Sequence, residues 1–151
     1  MPELPEVETV RLQLLHKVTG KTIKGVEVFR ASIVGGDETI EDRLIGKTIK
    51  HIDRVGKLMV FSFENEDDLY LLVHLKMTGQ FFYIDSEDQI SGGGHSMTAA
   101  DIAEFPGKHT RVAYYFTDNS ALYYNDMRIF GYNKLVDRVG MLKARERFGQ
   151  E

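Results

Sequence analysis

The chain opens on the stretch Met1-Pro2-Glu3-Leu4-Pro5-Glu6-Val7-Glu8, which sets the start of its first helix. The second proline of this stretch suits a first helical turn, where its missing N–H would have no partner within the helix anyway. Val7, Val10 and Leu14 follow at helical spacing, and Gly20 marks the end of the pattern. The sequence therefore predicts an N-terminal helix that starts at the second proline and turns one apolar face to a core.

An amine and several carboxylates meet at the start of this helix. Methionine before proline favours removal of the initiator, which would expose the secondary amine of Pro2 beside the carboxylate of Glu3. An α-amino group has a pKa of about 8, so a useful fraction is neutral near pH 7. For Glu3, Glu6 and Glu8 alone, stabilisation of the positive end of the helix dipole is an alternative that stays open. That alternative leaves the amine of Pro2 unexplained.

The rest of the chain has the pattern of short strands separated by turns, which is typical of a β-sandwich or a barrel. The strands are predicted at 22–29, 48–53, 57–63, 69–75, 80–84, 111–116 and 121–124. Short helices are predicted at 37–44, with Asp37 as a cap, and at 141–148, where the pattern is polar. Acidic turns are predicted at 64–68 and 85–88, and a flexible loop at 91–95.

Composition limits the class of protein. With 151 residues, of which 42% are apolar, the chain is long enough for one domain with its own core. It has no cysteine, so a disulfide framework and a cysteine zinc site are both excluded for these residues. No apolar run approaches the roughly 20 residues of a membrane span, and the start lacks the layout of a secretion signal. A cytoplasmic protein without a membrane partner is expected.

The net charge of −4 argues mildly against binding to nucleic acid. The charges are unevenly distributed, however, because basic residues are concentrated at 43–57 and 134–147 and acidic residues in the two predicted turns. This separation leaves room for a basic face opposite acidic loops.

Three further stretches stand out besides the opening one: Val55-Gly56-Lys57-Leu58, His74-Leu75-Lys76-Met77-Thr78-Gly79 and Asp126-Met127-Arg128-Ile129-Phe130-Gly131. Together the four stretches resemble one known family, the formamidopyrimidine-DNA glycosylases, which are bacterial enzymes that excise oxidised purines. Their occurrence in the family's order over most of the chain makes the resemblance specific. Leu4 favours this branch over the related endonuclease VIII proteins, which typically have glycine there.

The resemblance implies a fold and a domain organisation. The expected fold is mainly β with flanking helices (α+β), a two-layered antiparallel β-sandwich. Residues 1–135 would form the N-terminal catalytic domain of the glycosylase. Residues 136–151 would be a polar helical tail leading to a helix–two-turn–helix and a zinc finger that this chain does not contain. The chain is thus expected to be an isolated N-terminal domain, weakly active or inactive alone.

The resemblance also assigns the chemistry. Pro2 would be the nucleophile at the sugar C1′ and Glu3 the proton donor, and an iminium on a secondary amine stays cationic without needing a proton. Glu6 would orient water or the target nucleotide. Lys57 would contact the backbone near the lesion as a further member of the catalytic group. Without the resemblance, a solvated lysine at a strand edge is the preferred interpretation of Lys57.

Three further residues are implied as a wedge. An enzyme that acts on a base takes it out of the duplex at a cost of a few kcal/mol, and inserted side chains can offset that cost. The resemblance assigns Met77, Arg128 and Phe130 to filling the void and probing the opposite strand, where an arginine can hydrogen-bond the orphaned cytosine. For Phe130, an aromatic residue of the core is the alternative that the sequence leaves open.

The remaining candidates for DNA contact are histidine and arginine side chains. His74 is assigned by resemblance to a phosphate, although a lone histidine in an apolar strand is more often a core residue. His109 and Arg111 lie in a stretch where the family often has an acid in place of Thr110 and a histidine in place of Arg111. A second departure is Ile129, at a position that is commonly basic.

The function implied is base-excision DNA repair by a bifunctional DNA glycosylase and AP lyase. Its partner would be double-stranded DNA with oxidised purines (8-oxoguanine or formamidopyrimidines), and the protein would be a monomer located in the bacterial cytoplasm, at the nucleoid when bound. No cofactor or metal is expected in this chain, and zinc only in the zinc finger. A non-catalytic DNA-damage binding module and a structural scaffold are the alternatives. An intact mass that lacks one methionine is compatible with catalysis, whereas the full mass with Met1 is not.

Overall fold

The computed structural model describes residues 2–92 and 104–150, which contain nine strands and three α-helices. In chain order the elements are α1 (Leu4–Val18), β1 (Ile23–Val28), a 3₁₀ turn (Ala31–Val34), α2 (Ile40–Leu44), β2 (Ile49–Val55), β3 (Leu58–Phe63), β4 (Glu66–His74), β5 (Gly79–Ile84), β6 (Ile90–Gly92), β7 (Thr110–Phe116), β8 (Ala121–Asp126), β9 (Tyr132–Val136) and α3 (Arg138–Gly149).

The strands form two antiparallel sheets, which confirms the predicted sandwich. One sheet has the order β1-β7-β8-β5-β6 and the other has the order β2-β3-β4-β9. Their inner faces share one hydrophobic core, which also receives the apolar face of α1. Val7 and Leu14 are buried there and Val10 is partly buried, as the helical spacing predicted. The core therefore fixes α1, and with it the N-terminus, against both sheets.

The outer face of the second sheet is covered by α3. Met141 and Phe148 of this helix pack on Leu58, Val60 and Leu72 of the sheet. The boundary predicted at residue 135 falls within β9, whose last residue is Val136. The segment expected as a polar helical tail thus includes a helix that packs on the domain.

Two local predictions were wrong. Only Glu64 and Asn65 form the β3–β4 turn, with Asn65 at φ +59°, because β4 already begins at Glu66 opposite Phe63. The first three residues of β4 are only partly buried or exposed, so this end of the strand tolerates the acidic residues that suggested a longer turn. The helix predicted at 37–44 begins only at Ile40, since the Asp37 carboxylate accepts the N–H of Thr39 and forms a turn before the helix.

Two short strands were missed. Ser91 and Gly92, expected in a flexible loop, belong to β6, and the remainder of that predicted loop lies outside the described residues. β9 escaped notice because Asn133 and Lys134 interrupt its apolar pattern. Asn133 is nevertheless buried and accepts a hydrogen bond from the Tyr114 hydroxyl at 2.8 Å. Within residues 2–92 and 104–150, no helix is both long and apolar enough to cross a membrane.

Candidate functional site

The first turn of α1 brings the Glu3 carboxylate close to the Lys57 ammonium. Glu3 is the N-cap residue of the helix, but its side chain accepts no hydrogen bond from the helix. Its Oε2 lies instead 3.7 Å from Lys57 Nζ. The Glu3 side chain is 70% exposed and that of Lys57 only 24% exposed, so the carboxylate remains accessible to a ligand. The structure thus brings together two residues that are 54 positions apart in the sequence.

Pro2 and Glu6 lie where two open cavities meet. A cavity of about 490 Å³ runs between α1 and β5, with Val10, Leu14, Phe81 and Tyr83 among its lining residues. A second cavity of about 650 Å³ is lined by Pro2 and Glu6 together with Met77, Thr78, Gly79, Gln80, His109, Asn125 and Met127. The backbone at the predicted nucleophile therefore borders space of the size that small-molecule sites occupy.

The turn that carries Lys57 is tied to α1 through Arg54. Gly56 has φ +58°, and a Cβ there would lie 2.8 Å from the Phe148 carbonyl oxygen, so only glycine fits without a shift. Arg54 donates to the Gly56 carbonyl and to Glu8 Oε1, both at 2.8 Å. Glu8 also accepts from the guanidinium of Arg11, at 2.8 and 2.7 Å. Glu8 therefore does more than stabilise the positive end of the helix dipole, because through Arg54 it also joins α1 to the turn that carries Lys57.

This network predicts a pH dependence of stability. Hydrogen bonds from Arg11 and then from Arg54 lower the pKa of Glu8 from 4.5 to about 2. A carboxyl whose pKa is lowered on folding stabilises the folded state above its unfolded pKa, and this stabilisation is lost as the pH falls towards its folded pKa. Between pH 4.5 and about 2, the urea midpoint should therefore fall less in Glu8→Gln than in the unmodified protein.

Glu64→Gln, in the exposed β3–β4 turn, is the matched control and should keep the pH dependence of the unmodified protein. Identical curves for the unmodified protein and Glu8→Gln would show that the Glu8 network adds no pH-dependent stability.

His74 is largely buried at the end of β4, where its ring packs between those of Tyr132 and Phe148 at 5.9 and 5.4 Å. Its Nδ1 accepts the N–H of Lys76 at 3.0 Å. Burial, followed by the positive charges of Lys76 and Lys57, lowers the pKa of His74 from 6.5 to about 4. At neutral pH the ring is uncharged, so any phosphate contact by His74 would be a hydrogen bond from Nε2 and not an ion pair.

Met77, Arg128 and Phe130 form one exposed group. Met77 is 44% and Phe130 is 52% exposed. The guanidinium of Arg128 joins them, with Nη1 3.9 Å from Met77 Sδ and Cζ 4.9 Å from the centre of the Phe130 ring. The exposure of Phe130 excludes the alternative of a core aromatic. Met127 is 57% exposed beside this group and was missed, because a second methionine carries no signal of its own in the sequence.

His109 lies at a cavity, whereas Arg111 binds the main chain. His109 lines the larger cavity, and its Nδ1 is buried without a hydrogen-bond partner among the described residues. Arg111 donates from Nε to the Asp126 carbonyl at 2.9 Å and from Nη2 to that of Met127 at 3.5 Å. Arg111 thus supports the main chain of the exposed group, and its direct contact with DNA stays a prediction.

Thr78 and Asp126 were also missed as site residues, although both lie inside the motifs quoted above. Asp126 is fully buried and Thr78 is half-buried, which their polar side chains do not suggest. In the part of the chain that the structure describes, no group of three or more His, Asp or Glu side chains is arranged to hold a metal ion.

Comparison with known proteins points to one family. The family described as "Formamidopyrimidine-DNA glycosylase N-terminal domain" matches residues 1–133. A formamidopyrimidine-DNA glycosylase of Ligilactobacillus salivarius is 40% identical over 142 residues, which are 93% of this chain and 45% of that protein. One of Lactiplantibacillus plantarum is 41% identical over 138 residues, covering 90% of this chain and 43% of that protein.

Solved structures agree with this result. A complex between the Lactococcus lactis Fpg and DNA containing an abasic site matches with a TM-score of 0.76 and 30% identity, over 97% of this chain and 47% of that one. A complex of the same Fpg with DNA containing Fapy-dG matches with a TM-score of 0.75 and 30% identity, over 96% of this chain and 48% of that one. The chain spans about half the length of the proteins it matches.

Proposed function

The chain belongs to the formamidopyrimidine-DNA glycosylase family, and we propose that the complete protein in which it occurs is a bifunctional DNA glycosylase and AP lyase. Its substrate would be double-stranded DNA containing oxidised purines, 8-oxoguanine or formamidopyrimidines. The observation that carries this proposal is the position of Pro2 beside the Glu3–Lys57 pair, on a cavity that also reaches Met77. In this arrangement the proposed nucleophile, an acid and the first of the proposed wedge residues would lie on one side of the domain.

The proposed reaction begins once Met1 has been removed. The Pro2 nitrogen attacks C1′ of the damaged nucleotide, the glycosidic bond breaks, and the departing base takes up a proton. Glu3 protonates the sugar ring oxygen, so the ring opens and a cationic iminium joins Pro2 to C1′. The iminium withdraws electrons and makes the C2′ hydrogen and then the C4′ hydrogen acidic, so loss of each proton to water expels the 3′-phosphate and then the 5′-phosphate. Water finally hydrolyses the iminium and releases the Pro2 amine. Glu6, at the same cavity, would orient that water or the nucleotide.

Lys57 supports this chemistry through charge. Its side chain is three-quarters buried, and the turn that carries it is fixed to α1 by Arg54. A freely solvated lysine at a strand edge would need neither feature. At 3.7 Å from Glu3 it lies where the phosphate beside an attacked sugar would arrive. A phosphate contact there would place the sugar against both Pro2 and Glu3.

The 151 residues alone are expected to bind DNA weakly, because affinity comes largely from phosphate contacts and their own net charge is −4. The bacterial relatives and the reaction itself favour the bacterial cytoplasm, and the nucleoid when bound.

A duplex with one 8-oxoguanine opposite cytosine tests the proposal with the complete protein. We expect release of the oxidised base together with cleavage of the strand at the lesion. A non-catalytic damage-binding module with the same fold would bind the lesion duplex without either product. Binding without base release would overturn the proposed activity and support that module.

The wedge residues predict a dependence on the substrate. Met77→Ala, Arg128→Ala and Phe130→Ala should each lower excision of 8-oxoguanine about tenfold, because base extrusion costs a few kcal/mol. Cleavage at a preformed abasic site needs less extrusion and should change little. Rates on the two substrates, measured under single-turnover conditions, check this expectation.

Leu12→Ala is the matched control, since Leu12 is 52% exposed on α1 and does not line either cavity. Equal losses on both substrates in the three variants would mean that their side chains position the backbone or support the fold.

A further inference from the structure

The two exposed wedge segments are attached to one buried carboxylate, that of Asp126, whose exposure is 0%. Its Oδ1 accepts the Thr78 hydroxyl at 2.5 Å and the Ile129 N–H at 3.1 Å. Its Oδ2 accepts the Gly131 N–H at 2.8 Å and the Tyr124 hydroxyl at 3.0 Å. Four donors from three segments of the chain therefore converge on a single side chain.

Thr78 links the two segments directly. Its hydroxyl donates to Asp126 and accepts the N–H of Arg128 at 3.0 Å. Met77 precedes Thr78 in the β4–β5 turn, whereas Arg128 and Phe130 belong to the β8–β9 connection. A shift of either segment would therefore break a hydrogen bond to the other.

The backbone around the carboxylate is strained and tightly packed. Ile129 has φ +61°, which is an outlier for a β-branched residue and needs support from its surroundings. The N–H of Ile129 finds that support at Asp126 Oδ1. A Cβ at Gly131 would lie 2.1 Å from the Tyr124 hydroxyl, and one at Gly79 would lie 2.5 Å from it. The two segments therefore meet at the Tyr124 hydroxyl, where no space is left for either backbone to move.

The main chain of Asp126 holds the neighbouring candidates as well. Its N–H donates to the His109 carbonyl at 2.9 Å, and its own carbonyl accepts from Arg111 Nε at 2.9 Å. His109, Arg111 and Arg128 are therefore each within one or two hydrogen bonds of the same residue.

We propose that Asp126 is a positioning residue that, through Thr78, holds the Met77 turn and the Arg128–Phe130 segment in one fixed relative arrangement, so that they enter DNA as a unit. The proposal rests on the proposed function. A carboxylate only accepts hydrogen bonds and suits four donors, whereas an amide presents one accepting oxygen and two donors of its own. Preorganisation of this kind saves the cost of ordering the wedge when the base is extruded.

The test compares variants of the complete protein on 8-oxoguanine duplex and on a preformed abasic site. Asp126→Asn leaves one pair of buried donors facing an NH₂ group, so excision of the base should fall about tenfold or more. Cleavage at the abasic site should fall less than about threefold, because less extrusion is required. Thr78→Val removes only the link between segments and should show the same selective loss, and Thr78→Ser should restore excision.

Tyr114→Phe is the matched control, because it removes a buried hydroxyl that bonds Asn133 in the core, remote from the wedge segments in the hydrogen-bond network. It should lower the urea midpoint without changing the ratio of the two activities. If Asp126→Asn does not fold, the rates of Thr78→Val and Thr78→Ser on the two substrates still test the positioning role.

Equal losses on both substrates, or excision by Thr78→Val equal to that of the unmodified protein, would overturn the positioning role. Absence of both activities in the unmodified protein would instead overturn the proposed function.

Discussion

A protein that keeps Met1 is expected to form no covalent adduct with DNA and to lose strand cleavage. With Met1 attached, the Pro2 nitrogen is a tertiary amide and has no lone pair available to attack C1′. Loss of a nucleophile on which both reaction steps depend should reduce the rate on the order of a thousandfold or more. The measurement is borohydride trapping on abasic-site DNA, with intact mass used to verify the N-terminus of each preparation.

Pro2→Gly supplies an intermediate case for the same experiment. Glycine offers a primary amine at the same place, but its imine must be protonated before it can withdraw electrons. We therefore expect an adduct that forms more slowly than with proline, yet clearly above the level of the protein that retains Met1. Equal trapping by all three proteins would mean that another amine carries the reaction.

Glu3→Gln is expected to separate the two activities. Without the carboxyl group at the helix start, protonation of the sugar is lost, and excision of 8-oxoguanine should fall by about 10²- to 10⁴-fold. A preformed abasic site already has its base removed and opens its sugar ring without enzymatic help. The adduct through Pro2 should therefore still form there. Base release and adduct yield on the two substrates check both parts of the expectation.

The matched control for Glu3→Gln is Glu64→Gln, a glutamate in the exposed β3–β4 turn. It should leave both activities unchanged. A parallel loss on both substrates in Glu3→Gln would assign Glu3 to the placement of Lys57, 3.7 Å away, and not to proton donation.

The sequence anticipated those parts of the fold that depend on local pattern. The spacing of Val7, Val10 and Leu14 located α1, and alternation with turn residues located most strands of the sandwich. The local pattern could not locate β9, because its buried side chain Asn133 is polar and is hydrogen-bonded to Tyr114, 19 residues away. A pairing of this kind is a property of the folded chain and leaves no local pattern.

The candidate site likewise has parts that local sequence pattern identifies and parts that only the folded structure shows. Motifs within the chain singled out Pro2, Glu3, Met77, Arg128 and Phe130 as candidates, but not how they are held. Asp126 has the appearance of an ordinary turn aspartate in the sequence, and only folding collects its four donors. For His74 the motif suggested a phosphate contact without its protonation state, which the structure adds, since burial lowers the pKa of His74 to about 4.

The most direct test of catalysis through Pro2 is the identity of the trapped amino acid. The complete, Met1-free protein would be incubated with 8-oxoguanine duplex and borohydride, which reduces the iminium to a stable amine. Proteolysis and mass spectrometry then locate the modified residue. We expect the nucleotide on the nitrogen of Pro2, in the peptide that begins Pro2-Glu3-Leu4. Modification of Lys57 or another lysine in its place, or no adduct at all, would contradict the proposed mechanism.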